Sequence, residues 1–273
     1  MNKQPVDDAF GLAGRACVVT GAGSGIGRAI ALALARARAQ VAILDRDVAG
    51  SAATLAQIQD AGGRGISIAC DVSDPSSVGA AAELCGQQLG PCAVLVNNAG
   101  LIRVGALETL SLADWNMVLS VNLTGYFLCA QAFGAQMRAS SKGAIVHVAS
   151  IAATHATPFT GAYSVAKAGV TMLSRQLAIE WGGQGIRSNV VHPGMILTPL
   201  SQSMYDQAGV SERRSAAIPA GRIGRPDDVA DAVVFLASDR AAYISGDEIT
   251  VDGGFTRMLM NLIPRAGYEK PAD

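Results

Sequence analysis

The chain has 273 residues, half of them apolar and 16% charged, with a formal net charge of −1. That length suits one large α/β domain over residues 1–273, and the near-neutral balance excludes the basic footprint of a nucleic-acid binder or of a protein held on an anionic membrane. The first residues lack the apolar core of a signal peptide, and no uninterrupted run of about 18 apolar residues follows, so a cytoplasmic protein with small-molecule partners is expected.

Residues 15–20 form an apolar strand that runs into Gly21-Ala-Gly-Ser-Gly-Ile-Gly27 and then an Ala/Leu-rich helix over 28–39. Strand, glycine loop and helix make a phosphate-binding arrangement, because glycines permit tight turning and close approach of a pyrophosphate while the helix start offers partial positive charge. The other reading, an ordinary βα turn, leaves four glycines in seven residues unexplained. A second strand, 40–45, ends in Asp45, 18 residues beyond Gly27, where an acid can take the adenosine ribose hydroxyls. A carboxylate there favours NAD over NADP, whereas Arg46 beside it could accept a 2′-phosphate.

The alternation continues with a helix over 48–61, a strand over 66–70 ending at Asp71-Val72, a helix over 75–89 and a strand over 93–96 ending in Asn97-Asn-Ala-Gly100. That last tetrapeptide suits a nucleoside pressed on the backbone, or a plain turn. A long helical segment over 111–140 carries Asn122-Leu-Thr-Gly125 in its middle. Asparagine competes there for backbone groups, so a local distortion is expected.

Residues 144–149 read as a buried strand, which puts Ser150 at its carboxyl end, the end that faces the ligand crevice in an open α/β sheet. Tyr163 and Lys167 follow on a helix over 162–181, four residues apart and so about 6 Å from each other on one face. A neighbouring cation favours phenolate, so the expectation is a Tyr163 pKa lowered toward working pH and a tyrosine able to act as general acid and base. Taken alone, the pair could equally be a half-exposed helical contact. A strand over 187–191, a Pro193-Gly194 turn, an irregular region over 199–219, a helix over 226–237 and a last strand over 249–251 complete a pattern of seven strands. Such alternation predicts a doubly wound, Rossmann-like parallel sheet with helices on both faces. A substrate loop is expected at 195–220, and the C-terminal tail at 257–273 is too polar to assign regular structure.

His155, Phe159, Met195, Met204 and Tyr205 flank the Ser150 strand and Tyr163 helix or follow the Pro-Gly turn, so they are expected to line a mainly apolar substrate pocket suited to a moderately hydrophobic alcohol. Cys17, Cys70, Cys85, Cys92 and Cys129 lie in or beside apolar runs without a Cys-x-x-Cys pair, which fits reduced core thiols, and no metal site is expected.

These motifs occur in the order seen in the short-chain dehydrogenase/reductase family, which the chain resembles in its compact single-domain form over about 15–255. Thr20-Gly-Ala-Gly-Ser-Gly-Ile-Gly27, Asn97-Asn-Ala-Gly100, Asn122, the Ser150, Tyr163 and Lys167 spacing, Pro193-Gly194 and Thr198 carry the resemblance. It implies that Tyr163 transfers the proton, Ser150 bonds the substrate oxygen, Lys167 binds the nicotinamide ribose, and Asn122 supports a water relay. The implied cofactor contacts are Gly21, Ser24, Gly25, Ile26 and Gly27 at phosphate, Asp45 at ribose, Asp71 and Val72 at adenine, Asn98, and Pro193, Gly194, Ile196 and Thr198 at the carboxamide. The reading that results is an NAD-dependent dehydrogenase interconverting a secondary alcohol and a ketone, assembled as a homotetramer. An NADPH-dependent ketoreductase, such as a 3-oxoacyl carrier-protein reductase, and a nicotinamide-binding sensor with little turnover are the alternatives.

Overall fold

A computed structural model describes residues 8–202, 205–263 and 267. Seven strands form one sheet: β1 (Ala16–Thr20), β2 (Gln40–Asp45), β3 (Arg64–Ala69), β4 (Cys92–Asn97), β5 (Gly143–Val148), β6 (Ile186–Pro193) and β7 (Glu248–Val251). Their order is β3-β2-β1-β4-β5-β6-β7, and every neighbouring pair is parallel. The chain runs outward from β1 to β3 and then crosses back to β4, so the order reverses between β1 and β4. In such a sheet the reversal opens a crevice at the carboxyl ends of the strands.

Helices α1 (Gly25–Arg36), α2 (Val48–Asp60), α3 (Pro75–Leu89), α4 (Leu112–Leu119), α5 (Gly125–Ala139), α6 (Tyr163–Trp181), α7 (Val210–Ala217) and α8 (Pro226–Ala237) connect or flank the strands. Successive β1 side chains point to opposite faces. Cys17 and Val19 pack in the core under α1 and α8. Ala16 and Val18 belong to the opposite core, which contains Val78 and Cys85 of α3, Phe133 and Met137 of α5, and Leu177 of α6. Burial on both faces explains why the central strands read as unbroken apolar runs. All five cysteines are buried and free.

Three sequence expectations change. The 66–70 strand begins at Arg64, because this edge strand gains two further pairings to β2, Gln40 with Arg64 and Val41 with Gly65. Within the region expected to be irregular, Val210–Ala217 is helical although it presents no apolar stripe. The start of the C-terminal tail also has regular structure, since Phe255–Leu262 is a 3-10 run.

The distortion expected at Asn122 is present. Ser120–Thr124 forms a π-helical turn between α4 and α5. By length and composition, Leu112–Ala139 is apolar enough to cross a bilayer, with a windowed mean hydropathy of 1.3, but half of that window is buried inside the protein. Polar residues interrupt it, which is why no continuous apolar run is visible in the sequence.

Candidate active site

The glycine loop leaves β1 and feeds α1 without a side-chain cap. Ser24 is extended and makes no capping hydrogen bond, so the first N–H groups of α1 have no side-chain acceptor there. That is an open anion-binding end. Gly21 has φ +64°, and a Cβ on it would come within 2.7 Å of the Ala99 backbone, while a Cβ on Gly27 would overlap the Gly21 carbonyl. Asn98 fixes the loop from β4, donating through Nδ2 to the Thr20 and Gly21 carbonyls at 3.0 Å each. Asn97, its neighbour, is fully buried and belongs to the core.

A cleft of about 450 Å³ extends along the carboxyl edge of the sheet. Its walls include Gly21, Asp45, Asp71, Asn98, Ser150, Tyr163, Lys167, Pro193, Ile196 and Thr198. Every cofactor contact expected from the sequence lies on this one surface. A dinucleotide fits the donor set: bare helix amides for phosphate, a carboxylate at the far end for ribose hydroxyls, and Lys167 at the near end.

Asp45 Oδ2 accepts the Gly23 N–H at 2.8 Å and Oδ1 accepts the Asp47 N–H at 3.0 Å. Its carboxylate therefore ties the end of β2 to the glycine loop. Arg46 leans away toward Asp71, 3.6 Å from its carboxylate. The Ser73 hydroxyl chiefly, with Arg46 as a lesser influence, holds the Asp71 carboxyl below the usual range.

At the near end, Ser150 follows β5, and its Oγ accepts the Ala152 N–H at 3.1 Å, capping a 3-10 turn. His192 from β6 lies behind it, with Nδ1 2.8 Å from the Ser150 carbonyl. Tyr163 opens α6, and Lys167 follows one turn later with Nζ 5.7 Å from the Tyr163 ring centre. Lys167 is buried and donates to the Val148 carbonyl at 2.9 Å and to the Tyr126 hydroxyl at 3.0 Å.

The expected lowering of the Tyr163 pKa is not found in the cofactor-free chain. Burial raises it, and a hydrogen bond with Ser150 pulls it back only in part. Burial also brings Lys167 down to about 7. Helical spacing identifies neighbours, whereas the direction of a pKa shift depends on how much water surrounds both groups.

Asn122 is fully buried in the π turn. Its Nδ2 donates to the Leu101 carbonyl at 2.8 Å and its Oδ1 accepts the Leu101 N–H at 2.9 Å. The side chain thus clamps the segment after Asn-Asn-Ala-Gly.

Of the residues expected to form the substrate pocket, the four that are described are not brought into the cleft wall. His155 is exposed, with Nδ1 2.9 Å from the Thr154 hydroxyl. Phe159 is 69% exposed and has φ +62°. Met195 is half-buried, and its carbonyl accepts the Gly224 N–H. Tyr205 is buried beneath the Arg214 guanidinium, 4.6 Å from the ring centre, and Met204 lies outside the described residues. The apolar part of the cleft wall is instead Leu101, Val148, Ala149, Ile196 and Leu200, with Ser201 beside them in the sequence. Sequence reasoning also missed Tyr126 and His192. The available signals were a tyrosine four residues after Asn122 and a histidine directly before Pro193-Gly194.

A family profile described as "Enoyl-(Acyl carrier protein) reductase" matches residues 21–256. The chain is 44% identical over 251 residues to the D-threitol dehydrogenase of Mycolicibacterium smegmatis, covering 92% of this chain and 96% of that one. It is 42% identical over 247 residues to the cis-4-hydroxycyclohexanecarboxylate dehydrogenase of Sinomonas cyclohexanicum, covering 90% and 98%. Among solved structures, a gluconate 5-dehydrogenase from Burkholderia cenocepacia in complex with NADP and tartrate superposes with a TM-score of 0.87 at 34% identity, covering 92% of this chain and 98% of that one.

Proposed function

Because the chain belongs to the short-chain dehydrogenase/reductase family and is a nicotinamide-dependent dehydrogenase acting on alcohols, we propose that it interconverts a secondary alcohol and a ketone with NAD as its cofactor. The observation that carries this reading is the convergence of Ser150, Tyr163 and Lys167 at one end of a cleft whose other end holds Asp45. The nicotinamide ring, when bound, supplies the chemistry of accepting a hydride from the alcohol carbon or returning it to the ketone.

The chain's own residues then have distinct tasks. Tyr163 takes the alcohol proton through its phenol oxygen and returns it in the reverse direction. Ser150 bonds the same substrate oxygen and orients it toward Tyr163. Lys167 holds the nicotinamide ribose. Asn122, by clamping Leu101, keeps the floor of this end in place. Leu101, Ala149 and Ile196 add apolar surface to the same cleft.

Asp45 supports NAD over NADP, since a 2′-phosphate would meet a carboxylate there. One observation favours a second reading, NADPH-dependent ketone reduction: Arg46 stands at the same end, and the Burkholderia relative holds NADP. Asp71 already pairs with Arg46, so NAD remains the preferred assignment. The five free, buried thiols support work in the cytoplasm. Leu112, Met117 and Phe127 on α4 and α5, with Val165, Met172 and Ile179 on α6, are exposed apolar residues that suit packing between copies in a homotetramer.

The test is a panel of secondary alcohols and ketones, including threitol and hydroxycyclohexane acids, assayed with NAD and NADP by absorbance of the reduced nicotinamide. NAD-linked turnover of a secondary alcohol is expected. Tight NAD binding without turnover on any member would favour a sensor.

A further inference from the structure

Lys167 is held by a tyrosine to which neither the glycine loop nor the Ser150, Tyr163 and Lys167 set assigns a role. Tyr126 lies at the start of α5, 1% exposed. Its hydroxyl donates to the Val148 carbonyl at 3.0 Å and accepts from Lys167 Nζ at 3.0 Å. Lys167 Nζ donates to the same carbonyl at 2.9 Å. Nζ, the phenol oxygen and the carbonyl oxygen therefore form a closed triangle.

The arrangement is rigid on the tyrosine side. The Tyr126 ring stacks on His147 with centroids 5.9 Å apart and an 18° interplanar angle. Asn97 Nδ2 donates to the Tyr126 carbonyl at 3.1 Å. A phenylalanine would fill the same space, so packing does not require the hydroxyl, and burying one is unfavourable unless it is hydrogen-bonded.

An ammonium has three N–H donors. Tyr126 and Val148 engage two, which leaves one. That remaining donor has the cleft beside it: Lys167 lines the cleft wall, and a Cβ added to Gly100 on the cleft floor would lie 3.7 Å from Nζ. We propose that Tyr126 is a positioning residue that aims the third N–H of Lys167 into the cofactor cleft by holding the other two in the Tyr126–Val148 triangle. This rests on the reading of Lys167 as the group that holds the nicotinamide ribose.

The groups facing Lys167 are Tyr163 on its own helix, Tyr126 from α5, with Cys129 behind it, His147 from β5 and the neutral Asn122 from the π turn. His147 is held neutral, its pKa lowered to about 3 by burial and by the Lys167 charge. The Tyr126 phenol, pushed well above its ordinary value by burial, also stays neutral. It acts on the ammonium as an acceptor alone. Removing that acceptor destabilises the charged form of Lys167, which already titrates near 7.

The test uses Tyr126→Phe, Lys167→Met and the double variant, with thermal unfolding run on each as a control for packing. In the cofactor-free protein, NMR of 13Cε-labelled lysine should show the Lys167 midpoint falling by about one unit in Tyr126→Phe, as expected for loss of one hydrogen bond to a charged group. NAD affinity, measured by calorimetry, should weaken roughly tenfold. In the Lys167→Met background the same Tyr126→Phe change should leave NAD affinity unaltered. An unmoved Lys167 midpoint with parental NAD affinity overturns the proposal, as does an equal loss of affinity in both backgrounds, which would mark a packing effect. Parental NAD affinity in Lys167→Met would instead overturn the reading of Lys167 itself.

Discussion

His192 supports Ser150 from behind: its Nδ1 lies 2.8 Å from the Ser150 carbonyl, and its Nε2 lies 2.9 Å from the Glu248 carboxylate. Arg175 of α6 pairs with the other oxygen of that carboxylate. The main chain that presents Ser150 to the cleft is thereby tied to β6, β7 and α6. His192→Ala leaves a carbonyl and a carboxylate without this partner, at a cost of about 2 kcal/mol. Urea denaturation should register that loss, and turnover should fall as Ser150 loses this support.

Tyr163→Phe keeps the ring and removes the proton-transfer group. Turnover is expected to fall by roughly 100- to 10,000-fold, the range for lost acid–base catalysis, with NAD affinity retained. Single-turnover absorbance and calorimetry measure the two effects separately. Parental turnover in this variant would defeat the assignment.

The buried Lys167 makes stability depend on pH. Its amine titrates near 10.4 in the unfolded chain and near 7 in the folded one. Between those values the unfolded chain binds the extra proton, so stability rises with pH across the window and is lowest below about 7. Lys167→Met removes this penalty, and Tyr126 still donates to Val148. The cofactor-free variant should therefore be more stable than the parent by about 4 kcal/mol near pH 7, with most of the gain gone by about pH 10. Denaturant titrations at several pH values test the sign.

Asp45→Asn removes the charge that a 2′-phosphate would meet. NAD is expected to bind the parent roughly ten- to hundredfold more tightly than NADP, and the variant should lose most of that preference. Calorimetry with both cofactors checks it. Comparable binding of the two by the parent would show that Arg46 outweighs Asp45.

Gly27→Ala tests the cradle, because the added methyl would overlap the Gly21 carbonyl. The loop cannot keep its path. Weaker NAD binding and a loss of about 2 kcal/mol in stability are expected, measured by calorimetry and thermal unfolding. Gly62, where nothing lies within 4 Å of a Cβ, keeps φ +77°. Gly62→Ala there is a control for backbone strain without overlap.

The strands were legible because burial on both faces writes them as runs such as Val18-Val19 and Val94-Leu95-Val96, bounded by glycine and polar residues. The polar triad was legible because its members sit at fixed offsets on a strand end and a helix face. Helix α7 was not, since its Ser-Glu-Arg-Arg run has no apolar period to read. Tyr205 looked like a pocket residue by position, yet it packs inward beneath Arg214, a pairing between residues whose loop path the sequence does not specify. The role of Tyr126 was missed for a similar reason. Its partner Lys167 lies 41 positions away, and only folding brings α5 and α6 side by side.

The π turn at Ser120–Thr124 acts as a phase adjuster. A wide turn accommodates one more residue than an α-helical path would, and each α-helical residue advances the direction of its side chain by about 100°. With the same residues wound as a uniform α-helix, α4 and α5 would fuse into a regular rod, yet everything beyond Thr124 would rotate by about that angle relative to α4. If α4 kept its seat, Tyr126 would swing off the Lys167 ammonium. If α5 kept its seat, the clamp on Leu101 would be carried around with α4. The irregular turn lets one continuous element serve two clients whose angular positions a uniform helix cannot satisfy together.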